Sequence, residues 1–406
     1  MNPPPNHQPA VAVAGEPGLT DPRSPRPERR PEAAGAGEPE RLRQALARSV
    51  DVIAAHQAST GAYPACEEFS AYRGYSWFRD GSFIAEGMSR QGRPDSATAF
   101  HDWCARVLAA NEDQVAALVA RSRAGQTPPA SAMLPTRFTL AGEPGSDPWW
   151  DFQLDGYGAW LWAVHQHAAR HGLPPHRWRR ATQTACDYLA EFWNTPCYDW
   201  WEEHVEQRHG STLGAIYAGL SACAESPALD PDRRAVARQA AAEIKQTLLG
   251  EGVAPAGHLS KWVGSDAVDA SLAACVVPFG VVAPGGPVAE ATLAKIENDL
   301  EVRGGVHRFA ADVFFGGGQW PLLSCLLGWN HARAGRPAEA ARLLEWAIAQ
   351  ADPEGLVPEQ VDGHLLHPDH KPEWVAKWGP VAKPLLWSHA MILILAAELG
   401  ITLEDQ

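Results

Sequence analysis

The chain has 406 residues, 45% of them hydrophobic and 20% charged, with a formal net charge of −14. That is enough apolar material for one large core or two ordinary domains. The negative balance argues against nucleic acid or an anionic membrane as the main partner. The opening Met1-Asn2-Pro3-Pro4-Pro5 has neither the basic start nor the apolar stretch of a signal peptide. No run of 18 apolar residues could span a bilayer. Cysteines 66, 104, 186, 197, 223, 275 and 325 are scattered and never form a Cys-x-x-Cys pair. This usage fits reduced thiols in a cytoplasmic protein and points to no metal and no cofactor.

Residues 1–38, rich in Pro, Gly, Ala, Glu and Arg, read as a disordered tail, and 39–406 as the folded part. Apolar spacing and breakers place helices at 40–57, 80–92, 95–122, 152–171, 175–194, 211–224, 231–248, 266–279, 287–300, 319–335, 337–351 and 386–399. Strand signals survive only around Ser131–Ala141 and within 361–372. The odd helices carry charged faces, as in Arg233-Arg234-Ala235-Val236-Ala237-Arg238. The even ones are apolar nearly all round, as in Thr212-Leu213-Gly214-Ala215-Ile216-Tyr217-Ala218-Gly219-Leu220. A helix apolar on every side is buried, and one with a polar face lies at the surface. Six of each, in alternation, describe an all-α fold: a six-hairpin (α/α)6 barrel.

The long connections all lead into the even, inner helices, so their aromatic and charged residues converge on one end. The most suggestive stretch is Cys197-Tyr198-Asp199-Trp200-Trp201-Glu202-Glu203-His204. Two adjacent acids among aromatics raise each other's pKa, and burial adds to this. A carboxylic acid protonated near neutrality is what general-acid cleavage of a glycosidic bond needs. An ordinary helix start, its acids favoured by the dipole, is the plainer reading of the same residues.

Together these segments resemble glycoside hydrolase family 15, the glucoamylase family, from about Tyr63 to Leu399. Ser76-Trp77-Phe78-Arg79-Asp80 is similar to the family's Trp-x-Arg-Asp, which implies that Trp77, Arg79 and Asp80 hold the terminal glucose. Gln153-Leu154-Asp155-x-Tyr157-Gly158 resembles a motif of bacterial members. Tyr198-Asp199-x-Trp201-Glu202-Glu203 resembles the general-acid motif, which implies Glu202 as proton donor and Trp201 and Glu203 at the sugar. Arg308-Phe309-Ala310-Ala311-Asp312 resembles a segment that supplies a second binding arginine, Arg308. Leu356-Val357-Pro358-Glu359-Gln360 resembles the general-base motif, which implies that Glu359 activates water. Trp200, with Trp374 and Trp378, is expected to wall the next sugar.

Three departures stand out. Fungal members have a tyrosine six residues before the motif arginine, which helps hold the catalytic water. Arg73 stands there here, flanked by Tyr72 and Tyr75, so the second partner of that water is open. Ala311 and Gly318-Gln319 replace the family's acid and Asn-Pro. The β-sandwich domain found in many bacterial members is missing, and the build is closer to short bacterial enzymes that take isomaltose.

The resemblance implies an inverting exo-acting α-glucoside hydrolase that releases β-glucose from the non-reducing ends of small oligosaccharides, α-1,6-linked ones such as isomaltose first and α-1,4-linked ones second. A trehalase of the same family and a catalytically silent carbohydrate-binding barrel are the alternatives. Outside these motifs, the histidines of His364–His370 read as a surface loop, since Pro368 interrupts any helical i, i+4 pair. Cys197 and His389 read as packing, Asp266 and Asp269 as caps or cup lining, and Gly316–Gly318 as a close backbone approach.

Overall fold

A computed structural model describes residues 38–403 except Pro175. The expected tail lies outside them, apart from Glu38, which opens the first helix. The helices are α1 (Glu38–His56), α2 (Phe78–Arg90), α3 (Pro94–Ala110), α4 (Glu112–Arg123), α5 (Asp155–Arg170), α6 (Arg179–Phe192) and α7 (Gly210–Glu225). They continue with α8 (Pro231–Gly250), α9 (Ala273–Val276), α10 (Pro287–Leu300), α11 (Pro321–Arg333), α12 (Pro337–Ile348), α13 (Lys371–Trp378) and α14 (Leu386–Glu398). Two small antiparallel ribbons accompany them. One pairs β1 (Tyr75–Trp77) with β2 (Arg137–Thr139), and the other pairs β3 (Glu301–Val302) with β4 (Gly305–Val306).

Helix α2 packs on α5, α5 on α7, α7 on α9, α9 on α11, α11 on α14, and α14 returns to α2. That cycle closes a ring of six inner helices. Outside it, α1 lies on α14, α3 on α2, α6 against both α5 and α7, α8 on α7, α10 on α9 and α12 on α11. The predicted barrel is therefore present, with the even members inside. Small residues let the ring close. A Cβ on Gly158 of α5 would stand 2.5 Å from the Ala215 carbonyl oxygen of α7, and one on Gly219 would stand 2.7 Å from the Gly158 oxygen. Only glycine tolerates so near a backbone.

Local signals explain the ends. Asp230 accepts the Arg233 N–H at 2.9 Å and caps α8, with Pro231 in the first turn. Gly92 and Gly335 take positive φ (71° and 75°) just before Pro94 and Pro337 open α3 and α12.

Three expectations need correction. The single helix over 95–122 is two, because Asn111 leaves helical geometry and its side-chain amide donates to the Val107 carbonyl at 2.8 Å. The helix over 266–279 shrinks to a 3₁₀ turn at Ala270–Leu272 followed by α9. Asp269 caps its start by accepting from Ser271, and Pro278 ends it, holding Val277 extended. The strand expected within 361–372 amounts to one bridge, Val361 to Gln319, while α13 begins at Lys371. The signal around Ser131–Ala141 holds β2.

Candidate active site

The segments that enter the inner helices meet at one end of the ring. Residues 197–209 run ahead of α7 as a tight turn built by Asp199. Its Oδ1 accepts the N–H groups of Trp201 and Glu203, each at 2.9 Å. The Glu202 N–H donates to the Asp199 carbonyl at 3.0 Å, and the Asp199 N–H to the Glu203 carbonyl at 3.1 Å. These bonds hold Glu202 at φ 65°, in the left-handed region. A non-glycine residue there costs on the order of 1 kcal/mol or more, and such strain concentrates at functional sites. The helix-start reading of Trp-Trp-Glu-Glu therefore fails, since α7 begins only at Gly210.

The Glu202 carboxylate is met by side chains from two other hairpins. Its Oε1 accepts from Trp77 Nε1 at 2.9 Å and from Gln153 Nε2 at 3.2 Å. Burial raises its pKa, while the Arg79 charge and these donors hold the rise back. Glu203, beside it, keeps a third of its side chain open to solvent, but protein crowds its other sides. Burial pushes its pKa up to about 7 against Arg308.

Glu359 lies in the loop between α12 and α13 and is 2% exposed. Its Oε1 accepts the Tyr72 hydroxyl at 2.9 Å, and Oε2 makes no hydrogen bond to a protein group. Burial pushes its pKa up to about 8, with Tyr72 and Arg308 opposing. Burial and the charges of Glu359, Glu202 and Asp80 together keep the Tyr72 hydroxyl protonated. The Tyr72 ring lies edge-on, at 5.4 Å, to Trp77, the residue that donates to Glu202. Arg73, at the position the family comparison singled out, is exposed and its Nε donates to the Glu67 carbonyl. The residue one position earlier reaches the cup instead.

Two buried guanidinium groups flank these acids. Arg79 donates Nη1 to Gln153 at 2.8 Å and to Asp155 at 3.0 Å, and its Nε lies 3.3 Å from Asp80. Asp80 rises to about 6 through burial, against Arg79. Arg308 donates Nε to Asp312 at 2.7 Å and reaches Glu203 at 3.5 Å, boxed by the rings of Trp201, Phe314 and Trp320. Fixed forks beside carboxylates can take several sugar hydroxyls at once.

Trp200 requires correction. It is 2% exposed and packs among Phe83, Phe279 and Trp387, so it forms the floor and offers no face to a sugar. Trp374 and Trp378 lie on α13 in a separate aromatic cluster with Phe69, Phe314 and Phe315, next to Tyr72. Gln153, Asp155, Asp312, Trp320 and Phe314 complete the cup. The motifs contained most of them, but nothing in the spacing set them apart.

The other signals are structural. Cys197 is fully buried and its thiol is pushed up by that burial. His389 Nε2 accepts from the Val357 N–H at 3.0 Å, and its Nδ1 meets Ser49. Asp269 caps the turn before α9. A Cβ on Gly317 would meet the Asp312 oxygen at 2.2 Å, the close approach expected there. Among the described residues, no three His, Cys, Asp or Glu side chains gather as a metal site, and no helix is long and apolar enough to cross a membrane.

The family model "Glycosyl hydrolases family 15" matches residues 40–328. The chain belongs to that family. It is a glycoside hydrolase. It is 59% identical over 362 residues to an isomaltose glucohydrolase of Kribbella flavida, covering 89% of this chain and 94% of the relative. A solved glycosidase in complex with glucose superposes with a TM-score of 0.89 at 57% identity, covering 91% of this chain and all of the other. A trehalase of Mycolicibacterium smegmatis is 26% identical over 327 residues, covering 77% of this chain and 48% of the trehalase.

Proposed function

We propose that the protein is an inverting, exo-acting α-glucoside hydrolase that releases β-glucose from small gluco-oligosaccharides, isomaltose foremost. The observation that carries this is the pair of carboxyls Glu202 and Glu359, the first met by Trp77 and Gln153 and the second by Tyr72, with Glu359 Oε2 free to take a proton from water. Glu202 protonates the departing oxygen, its pKa raised by burial. Glu359 removes a proton from the attacking water on the other face of the sugar, which inverts the anomeric centre. Arg79, Asp80 and Arg308 grip the glucose, and Glu203 and Trp201 border the next sugar.

The relative from Kribbella flavida supports isomaltose as the substrate, and the glucose complex of the related glycosidase supports a glucose-sized first subsite. Seven buried, unpaired cysteines support a reducing, cytoplasmic setting. Early-time NMR of isomaltose hydrolysis should show β-glucose before mutarotation, and α-glucose first would exclude Glu359 as base. A rate panel of isomaltose, maltose, panose, trehalose and soluble starch should rank isomaltose first. Little gain should come with chain length. Trehalose in first place would establish the trehalase reading.

A further inference from the structure

Lys261 is 3% exposed, lies outside every motif of the cup, and has two carboxylates for partners. Its Nζ donates to Asp199 Oδ2 at 3.2 Å and to Asp269 Oδ2 at 2.5 Å. Asp269 Oδ2 also accepts Trp201 Nε1 at 2.9 Å, and its Oδ1 accepts from the Ser271 N–H and hydroxyl. The lysine backbone is pinned as well: its carbonyl accepts the Gly210 N–H at 2.9 Å and its N–H donates to Ala267 at 2.8 Å. Below the ammonium the Phe309 ring stands 3.6 Å away. His209 Nδ1 is 3.9 Å from Asp199 Oδ2, while Arg308 lies 3.5 Å from Glu203 and the Arg79 charge acts on Glu202.

The two oxygens of Asp199 therefore divide their work. One builds the turn that holds Glu202 at positive φ, and the other is fixed by the ammonium group. Resting on the assignment of Glu202 as proton donor, we propose that Lys261 is a positioning residue for the proton-transfer step, acting through Asp199. It never touches substrate. It balances two buried carboxylates that would otherwise repel, and it sets where Asp199 Oδ1 lies beneath the Trp201 and Glu203 N–H groups. A misplaced donor costs rate in proportion to how much the leaving group needs a proton.

The test uses aryl α-glucosides of graded leaving-group acidity, which keep the shape beyond the first subsite nearly constant. In Lys261→Met, kcat/KM for phenyl α-glucoside should fall by about 100-fold, and for the 2,4-dinitrophenyl glucoside by less than about 5-fold. KM should stay near wild type. Lys261→Arg keeps the charge but misfits the spacing, so it should show the same trend at about a tenth of the loss, and it decides the matter if the Met variant does not fold. An equal loss across the series, or a folded Arg variant with wild-type rates throughout, would overturn the proposal. Glu202→Gln runs alongside. A steep leaving-group dependence there upholds Glu202 as donor whatever Lys261 does, and a flat one removes the reading on which the proposal stands.

Discussion

The Tyr72 hydroxyl donates to Glu359 Oε1 at 2.9 Å across 287 residues of sequence, joining the loop before β1 to the loop between α12 and α13. A hydrogen bond to the charged form lowers a carboxyl pKa, and here it opposes burial. Tyr72→Phe should therefore raise the Glu359 pKa above its present value of about 8. The base would then be protonated over more of the neutral range, so the acid limb of kcat/KM against pH should move upward. At pH 7 the rate should fall by about 10- to 100-fold. A pH profile of both enzymes on isomaltose checks this, and an unmoved limb would separate Tyr72 from the base.

The two acids should separate by leaving group. Glu202→Gln should lower the rate on isomaltose by about 10²- to 10⁴-fold, yet leave α-glucosyl fluoride much less affected, because fluoride departs without protonation. Glu359→Gln should cripple both substrates. Comparable loss on the two substrates in Glu202→Gln would shift the donor role to Glu203.

Stability should move the opposite way from activity at Glu359. Its folded pKa, about 8, lies above an ordinary carboxyl value. The folded state therefore binds that proton more tightly, and the stability this group contributes is present at low pH. It is lost as pH rises from the ordinary carboxyl range through about 8. Glu359→Gln cannot ionise, so it should unfold a few degrees higher than wild type at pH 8, by about 1–3 kcal/mol, with little difference at pH 4. Calorimetry at the two pH values gives the answer.

Closure of the inner ring should fail under one methyl group. Gly158→Ala puts its Cβ 2.5 Å from the Ala215 oxygen, where backbone cannot yield cheaply. A loss of about 2–4 kcal/mol is expected, read as a lower urea midpoint. An unchanged midpoint would mean that α5 and α7 can separate at no cost.

The ring was legible because burial leaves a compositional trace: helices such as α7 and α14 are apolar on every side, and the amphipathic helices around them are not. The segments that carry Glu202 and Glu359 were legible as motifs. Less visible were places where one atom overrules periodicity, such as the Asn111 amide that divides α3 from α4. Trp200 and Trp201 are neighbours in a motif and equally aromatic. Only the left-handed turn after them decides that one faces the floor and the other the cup. Tyr72 was overshadowed because the motif spacing pointed to Arg73, and only the fold shows which of the two neighbours meets Glu359. Lys261 has no motif at all, and its role exists only in three dimensions.

Every inner helix begins at the cup, and each entry segment belongs to a different hairpin. Lengthening or trimming one of those segments reshapes a single side of the opening while the ring beneath keeps its packing. The same scaffold can therefore trade one glucoside linkage or chain length for another through local insertions. A laboratory library confined to residues 361–383 would vary the segment around Trp374 and Trp378 without touching Gly158, Gly219 or Glu202.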